Sequence, residues 1–291
     1  MNILVCIKPV PDPEKYGDLR IDPETKRLVR EGVPTVINPE DKNALEEALQ
    51  LKAELGGSVF VLSMAPEFSR DKLVESLAMG ADEAYLLSDR AFGGADTYVT
   101  SYVLAEGARR ILAEKDLPCF DLILMGNASA DGATSHVPTQ IAEWLNLPHV
   151  CNVREVRAEA AAVQAAAGDE ARAAAGDGQS GGRGTLQVVR KTESEDLLFE
   201  VVLPAVIAVS REINKPRLIN AMGIIKARKK PLTIWSNEDL SLPPEAIGLA
   251  GSPTQPGALF SPDLRRGAAS LGSELETAAD KILELVQKAG V

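Results

Sequence analysis

Short apolar runs alternate with amphipathic segments through the first half of the chain, and this alternation constrains the fold more than any other feature. The runs contain little polar alternation, which is typical of strands covered on both faces of a parallel sheet. We predict strands at Asn2–Ile7, Val59–Ser63, Ala84–Leu87 and Leu122–Met125. Strands that alternate with helices form βαβ units, so the expected fold is a doubly wound, mostly parallel α/β sheet.

The helices between these runs carry start signals. Asn38 suits the N-cap of the first helix, and Pro39 suits its first position. Apolar residues at helical spacing predict three more helices, at Asp71–Met79, Thr97–Glu114 and Val137–Leu145. These helices can cover both faces of the predicted sheet.

The second half of the chain is organised differently. Residues 158–184 are a low-complexity Ala/Gly segment, which we interpret as a surface insertion between two antiparallel strands. Pro204 divides the next apolar run into two strands. We therefore expect an α/β domain over residues 1–230, followed over residues 231–291 by an extended arm and a helix. That helix is amphipathic and must pack on its own core or on a partner.

Charge and composition disfavour several classes of function. A net charge of −11 and an aromatic content of 4% oppose nucleic-acid binding. Three cysteines without a CxxC pair and two histidines offer neither a disulfide framework nor a zinc site. No segment approaches the roughly 18 apolar residues that a membrane helix needs. We expect a soluble protein of the reducing cytoplasm, without membrane insertion.

The segment GNASADGATSHV, Gly126–Val137, is the main candidate for a binding site, and we call it the glycine loop. It follows a predicted strand, and ligands of doubly wound sheets bind at the carboxyl ends of strands. The end of the first strand at Cys6–Lys8 and the helix start at Asn38–Asp41 can converge with it on a nucleotide. A plain βα connection is the alternative. Outside the low-complexity segment 158–184 the sequence contains no GxGxxG, P-loop or GxSxG motif, so we assign no catalytic residue.

Several segments together resemble electron-transfer flavoprotein β subunits. They are CIKPVPD, LVREGVPTVINPEDKNALEEALQLK, LAMGADEAYLLSDRAFGGADTYVTS, the glycine loop, VLPAVIAVS and GLAGSPT. The resemblance covers most of the chain and implies a Rossmann-like, adenine-nucleotide-binding fold. It also implies an αβ heterodimer in which residues 231–291 pack on the α subunit, which carries the electron-transferring FAD.

The resemblance leaves two cofactors open for this chain. In the ordinary branch of the family, the β subunit holds a structural AMP. In the bifurcating branch, it holds a second FAD that takes hydride from NADH and sends one electron to the α-subunit FAD and the other to ferredoxin or flavodoxin. The segment DRAFGGADTYVTS and the loop pattern D-G-x-T-x-x-V resemble the bifurcating branch. Members of the family exchange electrons with a flavin dehydrogenase. Besides the FAD-binding and AMP-binding β subunits, a stand-alone nucleotide-binding protein is a third hypothesis.

The resemblance also implies which residues contact the nucleotide. The adenosine side is assigned to the main chain at Cys6, and the nucleotide is also met by the first helix start and by Met64 after the second strand. The phosphates and ribose are assigned to the glycine loop. The flavin end of the bifurcating branch is assigned to the start of the third helix. The implied cofactor-binding residues are Cys6, Asn38, Pro39, Glu40, Asp41, Met64, Asp96, Thr97, Thr100, Gly126, Asn127, Ala128, Asp131, Gly132, Ala133, Thr134, Ser135, His136 and Val137.

The glycine loop departs from the family pattern G-x-Q-A-I-D-G-D-T-A-Q-V-G-P. Ala133 replaces the second aspartate, His136 replaces a glutamine, and Ala128–Ala130 replace Q-A-I. Polar side chains that would hold a diphosphate are therefore missing, which keeps AMP open beside FAD. His136 is either a substitute donor or an exposed loop residue. Leu197 is the candidate anchor for a dehydrogenase, with a core strand position as the alternative.

Overall fold

The computed structural model describes residues 1–18, 20–21, 28–29, 34–158, 184–255, 257 and 275–289. Its strands are β1 (Asn2–Cys6), β2 (Pro9–Pro11), β3 (Arg20–Ile21), β4 (Leu28–Val29), β5 (Thr35–Ile37), β6 (Ser58–Met64), β7 (Glu83–Leu87), β8 (Leu122–Gly126), β9 (His149–Ala158), β10 (Thr185–Lys191), β11 (Asp196–Val202), β12 (Ala205–Val209) and β13 (Leu232–Trp235). Its α-helices are α1 (Pro39–Leu55), α2 (Arg70–Met79), α3 (Thr97–Glu114), α4 (Val137–Leu145), α5 (Ala221–Ala227), α6 (Asn237–Leu240), α7 (Gly248–Gly251) and α8 (Leu275–Ala289).

Nine of these strands form one sheet in the order β11-β10-β9-β12-β8-β1-β6-β7-β13. The pairs from β9 to β13 are parallel, and β10 and β11 extend the sheet as antiparallel strands. β1 lies at the centre, with β6 on one side and β8 on the other. This confirms the doubly wound, mostly parallel α/β sheet expected from the sequence.

Successive side chains of a strand point to opposite faces of the sheet, and here an apolar layer covers each face. In β1, Ile3 and Val5 join the core beneath α1 and α2, whereas Leu4 and Cys6 join the core beneath α3 and α4. Both layers are fully apolar at these positions, so the strand reads as an unbroken hydrophobic run in the sequence. The loops at the carboxyl ends of the strands are thereby held in fixed positions.

The predicted helix starts agree closely with the structure. The N-cap of α1 is Asn38, and the N-cap of α3 is Asp96, whose side chain accepts from the Val99 N–H. α4 has the predicted bounds, and α2 begins one residue earlier than predicted, at Arg70. Pro204 separates β11 from β12, as expected.

The domain boundary expected at residue 230 falls inside the sheet. β13 pairs in parallel with β7, so residues 232–235 are an edge strand of the main sheet and not part of an extended arm. The chain divides into two compact units, and the first, Met1–Arg20 with Leu28–Gly257, contains this sheet. The second unit contains α8. Packing of residues 231–291 on an α subunit stays a prediction.

The low-complexity insertion lies outside the described residues, apart from its two ends. Ala158 ends β9 and pairs with Leu186 near the start of β10 in an antiparallel register. The two strands that flank the insertion are therefore neighbours, as the sequence predicted.

Candidate functional site

A cavity of about 480 Å³ opens at the carboxyl ends of β1, β6 and β8. Small-molecule sites usually have roughly 300–1,000 Å³. The lining comes from these strand ends, the glycine loop, the first turns of α3 and α4, and the loop Arg90–Asp96 before α3, which we call the wall loop. Because β6 and β8 lie on opposite sides of β1, the cavity occupies the topological switch point of the sheet.

Asp41, in the first turn of α1, joins the ends of two strands beneath this cavity. One carboxylate oxygen accepts from the Lys8 N–H at 2.7 Å, and the other accepts from the Gly126 N–H at 2.9 Å. The side chain is 6% exposed. Burial raises the pKa of Asp41 to about 7, although the hydrogen bonds from the Lys8 and Gly126 amides and from Asn38 favour the ionised form.

Two neighbours of Asp41 hold the glycine loop itself. The Asn38 side-chain amide donates to the Ala128 carbonyl at 2.9 Å and accepts from the Ala130 N–H at 3.0 Å. Glu40 accepts from the Ala128 N–H at 2.7 Å. Asn38 and Glu40 are absent from the cavity lining, so their side chains act on the loop backbone.

The glycine loop adopts a backbone that side chains usually avoid. Ala133 and Ser135 have φ angles of 49° and 56°, in the left-handed region. Such residues persist where surrounding contacts hold them, and they cluster at functional sites. Here the Ala133 N–H donates to the Ser129 carbonyl at 2.8 Å, and the Asn127 N–H donates to the Val209 carbonyl of β12 at 2.9 Å. The loop backbone is therefore held in a defined conformation.

Lys8 supplies the one positively charged side chain among the described residues that line the cavity. Its ammonium group lies 2.6 Å from Asp131 and donates to the Ser129 hydroxyl at 3.3 Å. Both acceptors belong to the glycine loop. A phosphate that enters the cavity can therefore share a cation that is already held beside the loop.

The start of α3 forms the opposite end of the cavity. Thr97 and Thr100 line it, together with Phe92 and the Gly93–Gly94 pair of the wall loop. An N-terminal helix end carries positive potential. Apolar surface, small residues and hydroxyl groups thus meet at this end.

The structure brings most of the implied site residues together. The cavity is lined by Cys6, Asp41, Met64, Asp96, Thr97, Thr100, Gly126, Asn127, Ala128, Gly132, Thr134, Ser135 and Val137. The implied residues outside its lining are Asn38, Pro39, Glu40, Asp131, Ala133 and His136. His136 is exposed at the N-cap position of α4, with no capping hydrogen bond from its side chain.

The implied set did not include the wall loop residues Phe92–Ala95 or the Lys8 side chain, although the quoted segments DRAFGGADTYVTS and CIKPVPD contain them. Leu197 is half-buried in β11, where it pairs with Arg190 of β10. The next residue, Leu198, is 60% exposed. Docking of a dehydrogenase at Leu197 stays a prediction.

No group of three or more His, Cys, Asp or Glu side chains in the described part of the chain is arranged to hold a metal ion. No described helix is both long and apolar enough to cross a membrane. Burial, and to a lesser degree the charge of Asp41, raises the pKa of the Cys6 thiol, which disfavours its reactive thiolate.

Glu40 allows a test of how the glycine loop is held. We expect Glu40→Met, which lacks an oxygen acceptor, to release a nucleotide supplied to the protein about five- to tenfold faster than the wild type, because the Ala128 N–H loses its partner. Glu40→Gln keeps a carbonyl oxygen at that place and should release it within about twofold of the wild-type rate. The measurement is nucleotide release after dilution. Equal rates for the two variants would contradict a role as hydrogen-bond acceptor.

Comparison with known proteins shows the family of this chain. The family model described as electron transfer flavoprotein domain matches residues 25–240. The chain is 42% identical over 268 residues to the caffeyl-CoA reductase–Etf complex subunit CarD of Acetobacterium woodii, covering 92% of this chain and 90% of that protein.

Two further relatives match at somewhat lower identity over at least as much of the chain. The electron transfer flavoprotein subunit beta of Thermoanaerobacterium thermosaccharolyticum is 40% identical over 285 residues, covering 98% of this chain and 97% of that protein. Protein FixA of Azotobacter vinelandii is 36% identical over 275 residues, covering 93% and 88%. The family model and these relatives, together with the Rossmann-like sheet, show that the chain belongs to the electron-transfer flavoprotein β-subunit family.

Proposed function

We propose that this chain pairs with an electron-transfer flavoprotein α subunit and holds a second FAD in its own cavity. Bound there, FAD would accept hydride from NADH and supply one electron to the α-subunit FAD and one to a low-potential acceptor such as ferredoxin or flavodoxin. The heterodimer would exchange electrons with a flavin dehydrogenase. This chain's own residues would bind and orient the cofactor and keep water away from it.

The observation that carries this proposal is the extent of the cavity. It runs from the glycine loop, at the end of β8, to the wall loop and the first turn of α3. A mononucleotide requires only the first of these ends. The second end combines Phe92 and Leu104 with the small residues Gly93 and Gly94, which suits a flat ring with one polar edge.

The polar groups of the cavity fit a dinucleotide in two places. Near the glycine loop, the Lys8 ammonium and the hydroxyl groups of Thr134 and Ser135 can bind phosphate oxygens. At the far end, the hydroxyl groups of Thr97 and Thr100 can donate to the edge of a ring, where the helix N-terminus favours negative charge. These contacts would tune the cofactor without a catalytic residue from this chain.

The relatives suggest the kind of electron partner. The CarD subunit is named as part of a caffeyl-CoA reductase–Etf complex. A reductase that acts on a CoA thioester is therefore our preferred flavin dehydrogenase for this heterodimer.

A structural AMP is the second candidate, and the glycine loop favours it. Ala128 and Ala133 stand where the family pattern has polar side chains. Asp131 is already paired with Lys8, which leaves less free charge for a diphosphate. In that case the β subunit is a scaffold, and the α-subunit FAD alone carries electrons.

The cofactor content of the heterodimer decides between the two. The chain is co-expressed with its α subunit, the ligands are released by heat, and FAD and AMP are quantified per heterodimer. We expect two FAD and no AMP, and we expect NADH to bleach flavin absorbance under anaerobic conditions. One FAD with one AMP would refute the second flavin and make this chain a scaffold.

A further inference from the structure

The wall loop is built against a segment close to the end of the main unit. This segment is Gly248–Thr254, whose sequence is GLAGSPT. The Leu249 N–H donates to the Gly93 carbonyl at 3.1 Å. Gly248 has a φ of 56°, and a Cβ atom there would lie 2.1 Å from the Ala91 carbonyl oxygen, so only glycine permits this approach. The inner surface of the wall loop faces the cavity, and the GLAGSPT segment supports it from another side.

Asp96 joins the GLAGSPT segment to the cavity. One carboxylate oxygen accepts from the Val99 N–H at 3.0 Å and so caps α3, while the other accepts from the Thr254 N–H at 2.9 Å. The Asp96 N–H donates to the Ser252 hydroxyl at 2.9 Å, and that hydroxyl donates to the Gly248 carbonyl at 2.7 Å. Both carboxylate oxygens are therefore engaged by protein backbone, although Asp96 lines the cavity.

We propose that Asp96 is a positioning residue, which fixes the α3 end of the cavity by clasping the GLAGSPT segment, and that this clasp controls retention of a dinucleotide but not of a mononucleotide. The proposal rests on the proposed function, because it assigns the α3 end of the cavity to the ring of a second FAD. When the clasp is broken, the wall loop becomes more mobile. The glycine loop is unchanged, because α1 and β12 hold it separately.

Three variants of the heterodimer separate the clasp from the helix cap. Asp96→Ser keeps an N-cap oxygen for the Val99 N–H and lacks the second oxygen for Thr254. Ser252→Ala breaks the clasp from the other side, and Ser252→Thr retains the hydroxyl group as the matched control. We expect Asp96→Ser and Ser252→Ala to release the second FAD at least about tenfold faster than the wild type. Ser252→Thr should keep the wild-type release rate and visible spectrum.

Amide hydrogen exchange provides a readout that needs no redox activity. We expect residues 91–100 to exchange faster in Asp96→Ser and Ser252→Ala, with the glycine loop unchanged. Wild-type rates of FAD release and of exchange in both variants would overturn the clasp. If the wild-type heterodimer contains AMP and no second FAD, the proposed function fails and exchange alone decides. Faster exchange with unchanged AMP content then supports the clasp, and unchanged exchange refutes it.

Discussion

Replacing Gly126 with alanine is expected to abolish retention of any nucleotide by this chain. A Cβ atom there would lie 2.5 Å from a carboxylate oxygen of Asp41, 2.6 Å from the Glu40 Cβ and 2.9 Å from the Asp41 backbone nitrogen. All three atoms belong to the first turn of α1, and the Glu40 Cβ and the Asp41 nitrogen cannot move without the helix, so the strand end and the helix must move apart. The same movement breaks the hydrogen bond from the Gly126 N–H to Asp41.

Overpacking and the lost hydrogen bond together should weaken nucleotide binding by more than about 100-fold. The check is nucleotide content per heterodimer after heat release. Gly17→Ala is the control outside the cavity lining, because no atom lies within 4 Å of a Cβ placed there. We expect it to keep nearly full content. A Gly126→Ala protein that retains its nucleotide would show that the loop does not depend on this contact.

Local signals explain why so much of the fold was predictable from the sequence. Asn38, Pro39 and Asp96 mark helix starts through interactions within a few residues, and unbroken apolar runs mark strands buried on both faces. The edge strand β13 has no comparable signal. It is four residues long, follows Pro231, and gains its identity from pairing with β7, about 150 residues earlier in the chain.

For the candidate site, too, only a part was predictable from the sequence. Its position was predictable because parallel strands bring their carboxyl ends to one edge of the sheet. The roles of individual side chains were not, because they depend on contacts between distant segments. Glu40 and Ala128 are 88 residues apart, and Asp96 and Thr254 are 158 residues apart. The family resemblance implies that Glu40 and Asp96 contact the cofactor, and this stays a prediction. The structure adds that Glu40 accepts from the Ala128 N–H and Asp96 from the Thr254 N–H.

Asp41 should make the stability of this protein depend on pH in a direction opposite to that of most carboxylates. Burial raises its pKa from 3.8 to about 7, so between these values the folded chain holds a proton that the unfolded chain releases. The contribution of Asp41 to stability is therefore complete below about pH 4 and is lost as the pH rises through about 7. The expected slope is about 1.4 kcal/mol per pH unit inside this window.

The test compares wild-type and Asp41→Asn heterodimers by thermal unfolding at pH 5, 6, 7 and 8. Asparagine cannot ionise, so the advantage of the wild type over the variant should shrink as the pH rises from 5 to 7 and then level off. Asp71→Asn is the control, because the Asp71 side chain is 63% exposed and its variant should follow the wild-type profile. Parallel profiles for wild type and Asp41→Asn would mean that Asp41 stays ionised throughout. Converging profiles would mean instead that the Asp41 carboxyl group, which joins β1 to β8, changes its protonation near neutral pH. At that pH the strand ends beneath the cavity are then held by a group that is only partly charged.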